Sequence, residues 1–109
     1  MKKKPSESLN GINVFDLTRV LAGPTSTQIL GDLGANIIKV ERPKTGDDSR
    51  NLGPPYLDNL SKNPQESSYF LSVNRNKKSV TIDLTKKEGQ ELAKRIIKKC
   101  DVVGKPFFS

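Results

Sequence analysis

From Gly11 onward apolar residues crowd into a short run, Ile12, Val14, Phe15 and Leu17, with Asn13 and Asp16 between them. A run this apolar predicts a strand covered on both faces, as in a parallel sheet. Thr18 to Gly23 reads as a loop. Pro24 falls at the first position of a helix, where its missing N–H costs nothing. That helix is expected over residues 25–33, with Ile29, Leu30 and Leu33 along one side and Gly34 as its stop. Gly31 inside it costs about 1 kcal/mol against alanine, which points to close packing there. Ile37-Ile38-Lys39-Val40 is a second strand, so strand, helix and strand form a unit with a parallel pair.

Over residues 41–68 the periodicity disappears. Pro43, Gly46, Gly53, Pro54, Pro55 and Pro64 fall there together with Asp47, Asp48, Asn51, Asn59 and Asn63. Turn formers at this density predict one long loop, and long loops in compact domains are as a rule functional or disordered. Order resumes at residues 69–73. A basic turn, Asn74-Arg75-Asn76-Lys77-Lys78, then leads into a strand over residues 79–84 in which Val80, Ile82 and Leu84 alternate with polar positions. At Thr85 the period becomes helical, with Thr85 as cap and Glu88 three residues on in capping-box spacing. Leu92, Ala93, Ile96, Ile97 and Cys100 share one stripe, while Lys94, Arg95, Lys98 and Lys99 face water near the negative end of the helix dipole. Asp101-Val102-Val103 begins a last strand, too short to stand alone.

The order of elements is that of an α/β fold with a largely parallel sheet, and such sheets bind ligands beyond the carboxyl ends of their strands. At 109 residues and 33% hydrophobic content the chain supports one modest core and not two domains. No run approaches the roughly 20 apolar residues of a membrane span. A single cysteine, Cys100, excludes an internal disulfide and a thiolate cluster, and the absence of histidine removes every imidazole-dependent triad or metal site. With 19 Lys+Arg against 12 Asp+Glu the net charge is +7, which suits an anionic partner or a solvated basic surface. Residues 1–9 read as a disordered arm. Lys2-Lys3-Lys4 lacks the apolar core of a secretory signal and the Arg-rich pattern of a presequence, so the cytoplasm is the default compartment, with the mitochondrion as the other candidate.

Carboxylates, hydroxyls, amides and basic groups are left to carry chemistry. No G-x-G-x-x-G follows the first strand and no P-loop pattern exists. The loop 18–24 offers backbone N–H groups and a helix amino terminus to an anion. Arg42, directly after the second strand, is placed either for a phosphate or for a loop carboxylate. Arg75, Lys77 and Lys78 read as a solvated turn, Asp47 and Asp48 as turn-capping residues, and Cys100 as a buried, inert thiol.

Several separated motifs resemble family III CoA-transferases. They are Gly11-Ile12-x-Val14-x-Asp16-Leu17-Thr18-Arg19-Val20-Leu21-Ala22-Gly23-Pro24, then Leu30-Gly31-Asp32-Leu33-Gly34-Ala35-x-Ile37-Ile38-Lys39-Val40-Glu41-Arg42-Pro43, then Gly46-Asp47-Asp48-x-Arg50. Asn74-Arg75-Asn76-Lys77-Lys78-Ser79, Asp83-Leu84, Glu88-Gly89 and Cys100-Asp101-Val102-Val103 follow in the same order. The resemblance is nearest to the succinyl-CoA-dependent dicarboxylate branch; formyl-CoA transferases and acyl-CoA racemases share much of the opening. It implies a Rossmann-like sheet with flanking helices, incomplete in this chain, with residues 10–103 as the amino-terminal part of the family domain.

By motif position it also implies coenzyme A (CoA) contacts from Leu21 and Ala22, from Arg42, and from Ile82, Asp83, Leu84 and Thr85. CoA and acyl-CoA are then substrates, with no tightly bound cofactor and no metal, a carboxylic acid is the second partner, and the full-length family forms homodimers. Formyl-CoA transferases carry glutamine where Leu21 stands, which argues against formyl-CoA:oxalate specificity. The family's chemistry uses an aspartate carboxylate as nucleophile on the thioester. That residue lies beyond position 109, so none of the aspartates here carries over as catalytic. After Val103 the family continues in a Val-Glu-Asn-Phe pattern, whereas this chain has Gly104-Lys105-Pro106-Phe107-Phe108-Ser109. Residues 104–109 are thus a divergent or truncated tail, and a chain cut there is expected to expose the apolar faces of residues 12–17 and 37–40. The other readings are an acyl-CoA racemase, a basic nucleic-acid-binding module, for which base-reading motifs are missing, and a fragment without function of its own.

Overall fold

The computed structural model describes residues 7–56 and 66–106. The expectations for residues 1–6 of the arm, for Asn59, Asn63 and Pro64, and for Phe107, Phe108 and Ser109 lie outside them. Order already begins inside the assigned arm, because the Leu9 N–H donates to the Leu33 carbonyl at 2.9 Å.

Four parallel strands form one sheet: β1 (Asn13–Asp16), β2 (Asn36–Glu41), β3 (Lys77–Thr81) and β4 (Val102–Gly104), in the order β3-β2-β1-β4. The helices are α1 (Ala22–Asp32), the short α2 (Ser68–Ser72) and α3 (Lys87–Ile97), with a 3-10 turn at Asp48–Asn51. This is the expected Rossmann-like α/β arrangement. β4 is fastened at both ends, by Asp101 N–H to the Asn13 carbonyl and by Leu17 N–H to the Gly104 carbonyl, each at 2.8 Å.

Alternation along the strands sorts side chains into two cores. Phe15, Val40, Ile82 and Ala93 pack together with Ile38, Val80, Ile96 and Cys100, so α3 covers that face. Val14, Ala35 and Ile37 pack with Leu9, Ile12 and Leu30 on the α1 face. Phe15 is 0% exposed and Ile37 1%. The expectation that the apolar faces of residues 12–17 and 37–40 would be open is therefore corrected: α1 and α3 cover them.

Other boundaries differ from the sequence reading for local reasons. α1 begins at Ala22, with Pro24 at its third position. Its buried residues are Pro24, Thr27 and Gln28, and Gly31 continues that stripe: a Cβ there would lie 3.1 Å from Ile37 and 3.3 Å from the Asn76 carbonyl. Ile29 and Leu33 point away from the sheet, at 53% and 45% exposure, contrary to the expected apolar side. Polar partners on the sheet (described below) select the polar face of the helix. Gly34 ends α1 with φ +106, a conformation that glycine alone adopts freely. β3 runs from Lys77 to Thr81 instead of 79–84, since Asp83 accepts the Thr85 N–H at 3.0 Å and turns the chain out of the sheet. Thr85 therefore does not cap α3: its hydroxyl donates to Asp83, and the cap position is Lys86, without a side-chain bond. Within the long loop, the 3-10 turn and a Tyr56–Ser67 bridge supply order that turn formers alone did not indicate.

Candidate functional site

Toward the carboxyl ends of β1 and β2 the α1 face of the sheet becomes ionic, with Lys77 reaching in from the start of β3. Asp16 is fully buried and pairs with Lys77 Nζ at 3.2 Å, while accepting from the Thr27 hydroxyl at 2.7 Å. Lys39 Nζ, 1% exposed as a residue, donates to Asp47 at 2.8 Å and to the Thr18 carbonyl at 3.0 Å. Glu41 receives Arg50 in a two-point contact at 2.7 and 2.8 Å, together with the Ser79 hydroxyl and the Asp47 N–H. Arg50 also stacks 3.9 Å from the Phe70 ring centroid. No buried side-chain polar atom among the described residues lacks a partner, which is the condition for such a network to be tolerated.

Lys77 is thus not part of a solvated turn, as the sequence reading had it. Its exposed neighbour Arg75 pairs with Asp32 at 2.8 Å. Asp47 does cap a turn, accepting the Ser49 N–H at 2.9 Å, and it also holds the loop after β1 by accepting the Val20 N–H. Val20 sits at φ 71, strained for a β-branched residue by an amount on the order of 1–3 kcal/mol.

Burial pushes the Glu41 carboxyl up, but Arg50, Ser79 and the Asp47 N–H together outweigh it and hold the pKa at about 2, against an ordinary 4.5. For Asp47, burial is likewise outweighed, by Lys39 and Ser49, and its pKa is lowered. Both groups are more acidic folded than unfolded. Their contribution is therefore complete above the ordinary carboxylate range and is lost as pH falls through the folded values. The urea midpoint is expected to stay level from about pH 7 to 5 and to drop steadily toward pH 2; Glu41→Gln should flatten that drop. A level midpoint down to pH 2 would remove the network from the account of stability.

Upon this frame lie two adjoining clefts. The first, about 390 Å³, has apolar walls from Leu17, Val40, Ile82 and Leu84 and is bordered by Arg42 and Thr85. The second, about 450 Å³, is bordered by Thr18, Val20, Ala22, Gly23 and Asp48 at the amino end of α1. Arg19, Lys105 and Pro106 line both.

Among the residues singled out by sequence, Arg42, Ile82, Asp83, Leu84 and Thr85 meet at the first cleft, and Ala22 lines the second. Leu21 lines neither; it is the half-exposed residue preceding α1. Arg42 is paired with a loop carboxylate, donating to Asp48 and, at 3.2 and 3.3 Å, to the Gly46 carbonyl. The Asp83 carboxyl lies below its usual range through its bonds from Thr85. Sequence reasoning missed Arg19 and Lys105 at the clefts and the buried Lys39 beneath them. A lysine inside an otherwise apolar strand was the available sign of the last.

Elsewhere, a hollow of about 620 Å³ beside α3, lined in part by Ile38, Leu92, Ile96 and Cys100, holds none of these residues. Burial raises the Cys100 pKa, consistent with an inert thiol. No group of three or more metal-ligating residues occurs among the described residues, and no helix there is long and apolar enough to cross a membrane.

The family model of CoA-transferase family III matches residues 9–108. The chain is 52% identical over 94 residues to a succinyl-CoA:glutarate CoA-transferase of Mus musculus, covering 86% of this chain and 20% of that protein. It is 42% identical over 104 residues to a formyl-CoA:oxalate CoA-transferase of Afipia carboxidovorans, covering 94% of this chain and 23% of the relative. In structure it is similar to a CAIB/BAIF family protein from Brucella suis, with TM-score 0.79 and 46% identity over 88% of this chain and 25% of that one. The chain thus spans about a fifth to a quarter of the length of the relatives it matches.

Proposed function

The chain belongs to CoA-transferase family III, and on that premise we propose that residues 10–103 supply part of the CoA-binding surface of a transferase that moves CoA from succinyl-CoA to a dicarboxylic acid. The observation that carries the reading is the meeting of Arg42 with residues 82–85 at one cleft beyond the carboxyl ends of the strands, where a parallel sheet offers its ligand site. Ile82 and Leu84 give an apolar wall for a base, and the amino end of α1 opens on the adjoining cleft, favourable to phosphate. Arg42 serves a phosphate by exchanging its exposed contact with Asp48, since exposed ion pairs of this kind are worth only about 0–1 kcal/mol.

In this reading the chain binds and orients the nucleotide end of the thioester and contributes no nucleophile. The reacting carboxylate, the acid acceptor and the second subunit of a homodimer belong to the longer protein. The identity to a succinyl-CoA:glutarate enzyme and the leucine at position 21 both favour the dicarboxylate branch over formyl-CoA:oxalate exchange.

Calorimetric titration of the 109-residue chain with CoA, with circular dichroism on the same sample, tests this. Saturable binding by a folded chain is expected, and a folded chain that ignores CoA overturns the reading. Arg42→Ala should weaken binding about fivefold to tenfold, the range for losing a charged hydrogen bond partly replaced by water. Unchanged affinity would end the phosphate role given to Arg42.

A further inference from the structure

Arg19 and Lys105 differ from Arg42 in one respect: neither has a hydrogen bond or ion pair with any described residue, and both line the two clefts at once. Arg42, by contrast, is engaged by Asp48 and by the Gly46 carbonyl. Around the seam the remaining charges are satisfied. Asp47 and Glu41 are consumed by Lys39 and Arg50, and Asp83 by Thr85. Lys105 is held in place by backbone, because Gly104 ends β4 and its carbonyl accepts the Leu17 N–H at 2.8 Å. Lys105 therefore projects from a position fixed to β1, next to the loop that carries Arg19.

We infer that Lys105 and Arg19 form a second phosphate-binding point at the seam of the two clefts, so that the ligand runs across both and presents a diphosphate there while a further phosphate meets Arg42. This deepens the CoA reading and, in that form, rests on it; the anion-binding point itself does not. It also gives a role to Lys105, which the family model includes in its match over residues 9–108. Two unpaired cations facing one opening favour a group with adjacent negative charges over a single carboxylate.

The test is a nuclear magnetic resonance titration of the whole 109-residue chain with inorganic pyrophosphate and, separately, with CoA. The wild-type chain, Lys105→Met and Lys105→Arg are compared, and the dispersion of the amide spectrum reports that each is folded. Pyrophosphate is expected to shift the amides of residues 19 and 104–105. Lys105→Met should weaken pyrophosphate and CoA alike by about tenfold, with Lys105→Arg retaining most of the affinity. Pyrophosphate binding that depends on Lys105 without any CoA binding upholds the anion point and overturns the CoA reading. CoA binding that is indifferent to Lys105→Met does the reverse. If pyrophosphate binds the wild-type chain and Lys105→Met equally, or binds none of the three, the inference is wrong.

Discussion

A Lys39→Met chain is expected to unfold with about 3–5 kcal/mol less stability than the parent, the range for removing one partner of a buried ion pair. The substitution keeps the length of the side chain, so little cavity forms. What it leaves is the Asp47 carboxylate, inside the fold, deprived of the ammonium it meets at 2.8 Å. The Thr18 carbonyl loses its donor at the same time, and with it the loop that carries Val20 at positive φ. For a domain whose total stability is expected near 5–15 kcal/mol, that loss removes about a fifth of the whole or more. Urea unfolding followed by circular dichroism measures it. In Lys39→Met/Asp47→Asn the buried charge is gone, so the double variant should be clearly less destabilised than the sum of the singles. A single-variant loss under about 1 kcal/mol would mean that water reaches Asp47 and that the pair is not buried in solution.

The second large effect is expected at Gly89, near the start of α3. A Cβ there would stand 1.9 Å from the Asp83 carbonyl oxygen and 2.7 Å from its carbon. Both are backbone atoms of the segment that turns out of β3, so no side-chain rotation relieves the clash. Gly89→Ala is expected to cost about 1–3 kcal/mol, toward the upper end, despite alanine's better helix propensity. The displacement falls on residues 82–85, which wall the first cleft. If the proposed CoA reading holds, CoA affinity should therefore decline along with stability, although residue 89 lies outside both clefts. A Gly89→Ala chain as stable as the parent would show that α3 shifts from Asp83 at little cost.

The distance between sequence and structure is not the same for every element. α3 was legible because Leu92, Ala93, Ile96 and Ile97 keep helical spacing and cover an apolar face. Even so, Leu92 remains partly open, at 38% exposure. α1 was legible as a helix and wrong in its orientation. Its apolar residues Ile29 and Leu33 suggested the inner side, yet what it covers is Asp16, fixed by Thr27, and the backbone of residues 72–75, fixed by Gln28. Periodicity assumes that the facing surface is apolar, and at the carboxyl ends of β1 and β2 it is ionic. Lys77 was misplaced for a related reason, since a basic cluster reads as solvent-facing until Asp16 is known to lie beside it. At the candidate site, the motif resemblance pointed to Arg42 and residues 82–85, which do meet at one cleft. Arg19 and Lys105 escaped notice because 86 positions of sequence separate them, and only the parallel pairing of β1 with β4 brings both to the same seam.

That pairing also has a consequence for synthesis. β1 sits inside the sheet, but its partner on one side, β4, follows 88 residues later, as Val14 pairs with Val102. At ribosomal rates of about 5–20 residues per second, the strand carrying Phe15 waits roughly 4–18 s after its own emergence before its last edge is closed. During that interval one edge of β1 stays open in the nascent chain, the condition under which chaperone capture competes with folding. Released chains ending before β4 and at residue 109 should differ sharply in their protection from protease.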